Sequence, residues 1–190
     1  MQSSGTSQRV PFELLIGDWV GVGIVFYPNG AYYSHISSRV RLTEHTKGGK
    51  TFLKYENFSG EGTSLGESGS PKPPSDVHEL FDGVARALCR CNYEMTFEVN
   101  GKTTKAIKMS PSIVSAVGYM STNDNYSFIV RDKLVLKDRD PVILTLHNNH
   151  YFPSSNTRQV FGTIADPDDH TIMLTSFIYT SYTPPAGHDL

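Results

Sequence analysis

The sequence predicts an all-β protein: one antiparallel β-barrel of about 8–10 strands with one or two short helices. Ten segments rich in β-branched and aromatic residues follow one another along the 190-residue chain, and such residues favour strands. Turn residues separate these segments at short intervals, without the strand–helix alternation of a parallel sheet. That many strands in an open sheet would leave exposed edges and a large unburied face, whereas closure into a barrel removes both.

Composition and charge narrow the functional classes. The chain carries 17 Lys and Arg against 19 Asp and Glu, with a formal charge of −2 and no basic cluster, which argues against a nucleic-acid partner. Its longest apolar stretches fall far short of the roughly 20 residues that span a bilayer, so no membrane partner is expected. The start, MQSSGTSQRV, lacks the apolar core of a signal peptide, which predicts a cytoplasmic location.

The first part of the chain predicts a disordered start, a helical turn and three strands. Residues 1–10 are small and polar, and Pro11 suits the first position of a short helical turn that Gly17 ends. In the second strand, Ile36 and Val40 share a face opposite to polar residues, as in a half-buried strand. The three strands are predicted at 18–27, 31–46 and 51–58.

A loop and a helix are predicted in the middle of the chain. Residues 59–76 are rich in Gly, Ser and Pro, which predicts a flexible loop that is either a lid over the barrel mouth or a plain excursion. A capping box and apolar residues at helical intervals predict a helix at 77–88. Cys89 and Cys91 are too close in an extended strand for an unstrained disulfide, so both are expected to be reduced.

The rest of the chain predicts seven strands. Residues 91–99 alternate most sharply between apolar and polar, and Asn100-Gly101 fits the centre of a type I′ hairpin turn. The seven strands are predicted at 91–99, 102–109, 112–120, 126–137, 142–152, 157–165 and 170–182. The barrel therefore spans 11–183, and 184–190 form a tail.

The segment Leu14-Leu15-Ile16-Gly17-Asp18-Trp19 places a helical turn directly before Gly-x-Trp at the first strand. This motif resembles the start of the calycin superfamily of lipocalin-like barrels, in which the Trp closes one barrel end. Gly21 and Gly23 fit the resemblance, because a sharply coiled first strand needs glycine where a side chain would collide. One departure from lipocalins proper is the C-terminal SYTPPAGHDL, which has no Arg to cover the Trp and no room for a helix.

The residues at 147–150, HNNH, look like a metal or catalytic box. In a strand the two histidines point to opposite faces and cannot share one ion, so no metal site is predicted. Leu144 and Leu146 form an apolar row that continues into Asn148 and His150. If this row faces the barrel interior, His150 can exchange a proton and Asn148 can hold a carbonyl; otherwise both meet solvent. His150 and Asn148 are therefore predicted as the catalytic residues.

Aromatic and Met side chains on one face of a strand predict an adaptable apolar pocket, suited to a polyene, terpenoid or tetrapyrrole, although ordinary core packing also explains them. Arg39, Arg41 and Arg158 either meet solvent or point inward, where an Arg would bind a ligand carboxylate or a buried Glu such as Glu56. The predicted substrate-binding residues are Tyr93, Met95, Phe97, Phe128, Leu144, Leu146, Gln159, Phe161 and Arg39.

These features predict a barrel that encloses an apolar small molecule. We interpret it as a cofactor-independent cyclase or isomerase, including a pericyclic enzyme of natural-product biosynthesis, because folding a substrate into a reactive conformer needs no nucleophile. The alternative is a non-catalytic intracellular carrier or sensor of a fatty acid, haem or pigment, because the resemblance includes such carriers. A third alternative is a barrel with a filled interior that binds other proteins.

Overall fold

The protein forms a closed antiparallel barrel of ten strands, each paired with its neighbours in the chain, with β1 and β10 pairing to close it. This computed structural model describes residues 12–59, 92–121, 125–134 and 140–183. The strands are β1 (Gly17–Phe26), β2 (Tyr32–Lys47), β3 (Lys50–Ser59), β4 (Asn92–Asn100), β5 (Thr103–Met109), β6 (Ile113–Met120), β7 (Tyr126–Leu134), β8 (Val142–Ser154), β9 (Thr157–Ala165) and β10 (Thr171–Ser181). The predicted fold class is confirmed, and every predicted strand overlaps an observed one.

The part of the chain that the structure describes contains no helix, and hence none long and apolar enough to cross a membrane. Where a helical turn was predicted, residues 12–15 form a turn closed by a hydrogen bond from Leu15 N to Phe12 O of 3.0 Å. Several predicted features lie outside the described residues: the start at 1–10, all of the loop at 59–76 except Ser59, the helix at 77–88, both cysteines and the tail at 184–190.

The hairpin between β4 and β5 is centred one residue later than predicted. Asn100 pairs with Thr103, so Gly101 and Lys102 are the two central residues of the turn. Gly101 has a φ of 60°, and no positive φ occurs at Asn100 or Lys102. A type II′ turn needs glycine only at its first central position, whereas the predicted type I′ turn would need positive φ at both. In the later turn only Gly101 adopts a positive φ, so Asn100 is spared the left-handed conformation that the predicted turn required.

The turn at 12–15 and Trp19 close one end of the barrel. The Trp19 side chain is 2% exposed, and its indole Nε1 donates a hydrogen bond of 3.0 Å to Leu15 O. Phe12 and Leu15 belong to the same buried cluster, and the Phe152 ring packs edge-on against Trp19. An apolar plug with its one indole donor satisfied is a stable way to seal a barrel end.

The seam between β1 and β10 depends on two glycines of β1. A Cβ atom at Gly21 would overlap the backbone of Ile178, and one at Gly23 would overlap the Phe177 ring. The close approach of the strands therefore requires residues without side chains at both positions, as the sequence predicted. Closure at this seam places β2, β1 and β10 side by side in the barrel wall.

Candidate functional site

The barrel encloses a cavity of about 60 Å³ between the inner faces of six strands. The apolar lining residues are Ile36, Phe128, Leu146, Val160, Ile164 and Phe177. The polar or amphipathic ones are Ser38, Tyr55, Asn57, Asn148, His150, Arg158, Thr175 and Tyr179. One water needs roughly 10–15 Å³, so this volume is enough for a few waters. Pockets for drug-sized ligands have roughly 300–1,000 Å³, so a ligand of that size requires inner side chains to move.

A second, smaller cavity of about 10 Å³ lies beside the first. Tyr55, Phe128, His150 and Arg158 line both cavities and thus form the partition between them. Two of the four, His150 and Arg158, are buried polar residues, and Phe128 adds an apolar ring to the same partition.

β8 places the predicted catalytic residues on the inner wall. Leu144 is buried in an apolar cluster, and Leu146, Asn148 and His150 line the larger cavity. His147 lies on the opposite face of the strand, as the strand alternation requires. The row therefore faces the interior, which was one of the two alternatives open from the sequence. Whether His150 and Asn148 act in catalysis stays a prediction.

His150 is buried without a hydrogen-bond partner in the described part of the chain. Its side chain is 6% exposed, neither ring nitrogen has a partner there, and its ring packs edge-on against Tyr126. Burial, and then the positive charge of Arg158, hold the pKa of His150 well below the usual 6.5. The imidazole is therefore neutral at physiological pH, with one nitrogen available as a donor and the other as an acceptor.

Arg158 points into the barrel and is 1% exposed. Its guanidinium carbon lies 4.5 Å from the centroid of the Tyr179 ring and 5.0 Å from that of Trp19. Nε and Nη1 have no hydrogen-bond partner among the residues described. Burial lowers the pKa of Arg158 from its usual range, and Tyr179 and Tyr55 oppose this shift. Because an arginine keeps its proton in proteins, the cavity wall carries a positive charge.

No acidic residue balances that charge at the described walls of either cavity, since no Asp or Glu is among their lining residues. Asp132 shares the inner face of β7, three inward positions beyond Tyr126, or roughly 20 Å along the strand. The sequence suggested Glu56 as a partner, and this was wrong. Glu56 lies between the inward positions 55 and 57 and accepts a 2.9 Å hydrogen bond from Lys54 on the outer face.

Two further parts of the polar wall come from pairs that flank a glycine. Ser38 and Tyr179 are the Cα partners of Gly21, and the Tyr179 hydroxyl donates a 3.1 Å hydrogen bond to Ser38 Oγ. Asn148 and Thr175 flank Gly162 in the same way. A Cβ atom at Gly162 would overlap Asn148 Oδ1 and lie 2.5 Å from Thr175 Oγ1. The missing side chain thus gives both polar groups their room at the cavity.

Three residues predicted to bind substrate lie outside the barrel. Arg39 donates hydrogen bonds of 3.3 and 3.4 Å to Asp18, so this residue forms an outer ion pair. Phe161 is 47% exposed, and Gln159 shares its outer face because β9 turns Arg158 and Val160 inward. Because Phe161 is apolar, its face of β9 was predicted to point inward, and this was wrong. Val160 and Ile164, which share the face of Arg158, were the signal for the face that does point inward.

The other predicted substrate-binding residues point into the barrel, except Tyr93, whose side chain the structure does not describe. Phe128 and Leu146 line the larger cavity, and Phe97 lines the smaller one. Met95 is fully buried in the core. The Tyr93 side chain lies outside what the structure describes, although its backbone belongs to β4. Sequence reasoning missed Tyr55, Asn57, Thr175, Phe177 and Tyr179, which only barrel closure brings to one cavity.

Asp166, Asp168 and His170 bring three possible metal ligands together in the described turn between β9 and β10. Asp166 Oδ1 accepts hydrogen bonds of 2.9 Å from the backbone amides of Asp168 and His170, and its Oδ2 lies 3.3 Å from His170 Nδ1. These bonds account for the cluster as the structure of an exposed turn.

A closed ten-stranded antiparallel barrel with an inner cavity has the lipocalin-like fold. No family model and no curated protein matches the chain. The solved structures that are similar to it include two ten-stranded barrels of the calycin-like fold. The S-type phycobiliprotein lyase CPES from Guillardia theta has a TM-score of 0.50 and 10% identity, covering 92% of each chain. Rv2717c from M. tuberculosis has a TM-score of 0.50 and 14% identity, covering 91% of this chain and 98% of its own.

Proposed function

We propose that this protein binds a small, largely apolar molecule inside its barrel, in the cytoplasm. The observation that carries the proposal is the inner cavity, where apolar side chains surround His150 and Arg158. Both side chains are almost fully buried, and both have nitrogen atoms without a partner in the described chain. Buried polar groups in proteins are nearly always hydrogen-bonded, so groups like these suggest a ligand that completes them.

The polar groups inside the barrel argue against the alternative of a filled barrel that binds other proteins. A barrel selected only for packing gains nothing from a buried cation and a buried imidazole, because each costs free energy to remove from water. Apolar residues of similar volume would fill the same space without that cost. The polar groups therefore favour a binding role over a structural one.

Two roles are compatible with such a site. A cofactor-independent cyclase or isomerase is favoured by the neutral His150, whose two nitrogens can take and return a proton, and by Asn148 beside it on the wall. A carrier or sensor needs only the cavity. One of the fold neighbours is named as a phycobiliprotein lyase, which supports a pigment among the candidate ligands.

Calorimetric titration of the full-length, delipidated protein with 1-octanol, farnesol and biliverdin tests the proposal. Trp19 is the chain's one tryptophan, and its ring is 5.0 Å from Arg158, so its fluorescence gives a second readout for the two colourless alcohols. The matched variants are Ile36→Phe, which fills the cavity, and Ile178→Phe, at an outer residue that is 57% exposed.

We expect saturable 1:1 binding of at least one of the three compounds, weakened at least tenfold by Ile36→Phe and unchanged by Ile178→Phe. Binding that Ile178→Phe weakens and Ile36→Phe leaves alone would move the site to the outer face and overturn the proposal. So would the absence of saturable binding for all three compounds. If a compound is converted, loss of turnover in His150→Ala and Asn148→Ala would support the catalytic role, and unchanged turnover would contradict it.

A further inference from the structure

We infer that the ligand is an apolar monocarboxylic acid, whose carboxylate lies against Arg158 and whose body extends toward Leu146 and Ile164. This inference rests on the proposed function and adds the charge, chemical class and orientation of the ligand. The starting observation is that Arg158, 1% exposed, presents Nε and Nη1 without an acceptor in the described chain.

The charge of Arg158 has no counter-ion at either described cavity wall. The Tyr179 and Trp19 rings offset part of the cost of burying the guanidinium through cation–π contacts. Tyr179 also accepts one side-chain hydrogen bond from Arg158, but Nε and Nη1 still lack the acceptors that they lose on leaving water. A ligand oxygen that carries negative charge supplies both the missing acceptor and the missing charge.

The single charge favours a monoanion. Because His150 is neutral, the wall around the partition carries one positive charge in total. A carboxylate balances that charge, whereas a phosphate dianion would leave a negative charge uncompensated in an apolar site. The His150 ring and the Asn148 amide can each donate one further hydrogen bond to the same anion. Both residues line the cavity with Arg158.

The order of residues along the barrel fixes the orientation of the ligand. Arg158 lies under Trp19, at the closed end. Along β8, the lining residues then run from His150 through Asn148 to Leu146, which pairs with Ile164. His150 and Leu146 are four residues apart, or roughly 13 Å along the strand. The wall thus changes from cationic to polar to apolar over roughly the length of a medium-chain acid with its head toward Trp19. Because the cavity of about 60 Å³ holds only a few waters, such an acid enters as inner side chains move.

Octanoate and 1-octanol test the inference, because they share a chain length and differ in the charge of the head group. Octyl phosphate serves as the dianionic probe. Calorimetric titrations use the full-length, delipidated protein and two matched variants. Arg158→Met removes the inner charge at similar volume, and Arg39→Met removes an arginine that is paired with Asp18 on the outer face.

We expect octanoate to bind wild type and Arg39→Met roughly tenfold to a hundredfold more tightly than 1-octanol, as a charge-assisted hydrogen bond predicts. Arg158→Met should lose that preference while still binding 1-octanol within about threefold of wild type. The comparison of acid and alcohol in wild type alone remains decisive if Arg158→Met does not fold.

Several results would overturn the inference while leaving the proposed function intact. These are equal binding of octanoate and 1-octanol to wild type, tighter binding of octyl phosphate than of octanoate, or an acid preference that survives in Arg158→Met. If none of the three probes binds, and the 1-octanol, farnesol and biliverdin panel also fails, the proposed function itself is overturned. The two failures are therefore distinguishable.

Discussion

The Arg158 guanidinium lies over the Tyr179 ring, 4.5 Å from its centroid, and the Tyr179 hydroxyl donates a hydrogen bond to Ser38. The buried cation is thus held by the face of the Tyr179 ring and by a side-chain hydrogen bond that Arg158 donates to Tyr179. The arrangement fixes the position of the guanidinium without neutralising it.

Arg158→Met should make the ligand-free protein more stable. The substitution removes a buried charge that lacks a counter-ion in the described chain, and it keeps an apolar side chain of similar length. Replacing buried charges by apolar residues stabilises proteins by up to about 1–4 kcal/mol. Urea unfolding of the ligand-free protein measures the change, with Arg39→Met as control. A loss of stability greater than about 1 kcal/mol in Arg158→Met would assign the arginine a structural role.

The stability of the protein should fall as the pH is lowered below 6.5. Burial and Arg158 hold the pKa of His150 well below 6.5, so the unfolded chain takes up a proton that the folded chain does not. For this residue the slope reaches about 1.4 kcal/mol per pH unit below 6.5 and vanishes above it. Urea unfolding between pH 5 and 7.5 measures it. His150→Gln should lower this slope by about 1.4 kcal/mol per pH unit, whereas His45→Gln, at an exposed residue, should leave it unchanged. Equal slopes in wild type and both variants would contradict the burial of a neutral His150.

Gly162→Ala should weaken ligand binding while the barrel still folds. The new methyl group overlaps the ends of the Asn148 and Thr175 side chains, which can turn away, so overpacking should cost about 1–3 kcal/mol. Ala116→Val is the matched control, because it overpacks a buried residue that lines neither cavity. Calorimetry on folded samples should show loss of binding in Gly162→Ala alone. Equal weakening by both variants would assign the effect to general overpacking.

A pair of Phe→Ala variants tests which face of each strand is inward. Phe128 is 4% exposed and lines both cavities, so Phe128→Ala should cost about 3–5 kcal/mol. Phe161 is 47% exposed and packs edge-on against Tyr151, so Phe161→Ala should cost about 1 kcal/mol or less. Thermal or urea unfolding compares the two. Similar costs would contradict the assignment of β9 faces.

The sequence was sufficient for the barrel and for part of the site, for a physical reason. Along β8, the apolar residues Leu144 and Leu146 fix which face is buried, and strand alternation carries Asn148 and His150 to the same face. On β9 the signals conflict, because a buried Arg158 and an exposed Phe161 each break the usual rule for their residue type. The residues of β2, β3 and β10 that line the cavity come together only when the barrel closes, and no local sequence pattern encodes that closure.

A crystal structure of the full-length protein with octanoate at saturating concentration shows whether Arg158 binds a ligand carboxylate. We expect electron density for one octanoate inside the barrel, with a carboxylate oxygen about 2.7–2.9 Å from Arg158 Nε or Nη1 and the hydrocarbon chain along Leu146. A side-chain carboxylate of the protein bound to Arg158, with octanoate absent from the barrel or seated on its outer face, would contradict this expectation.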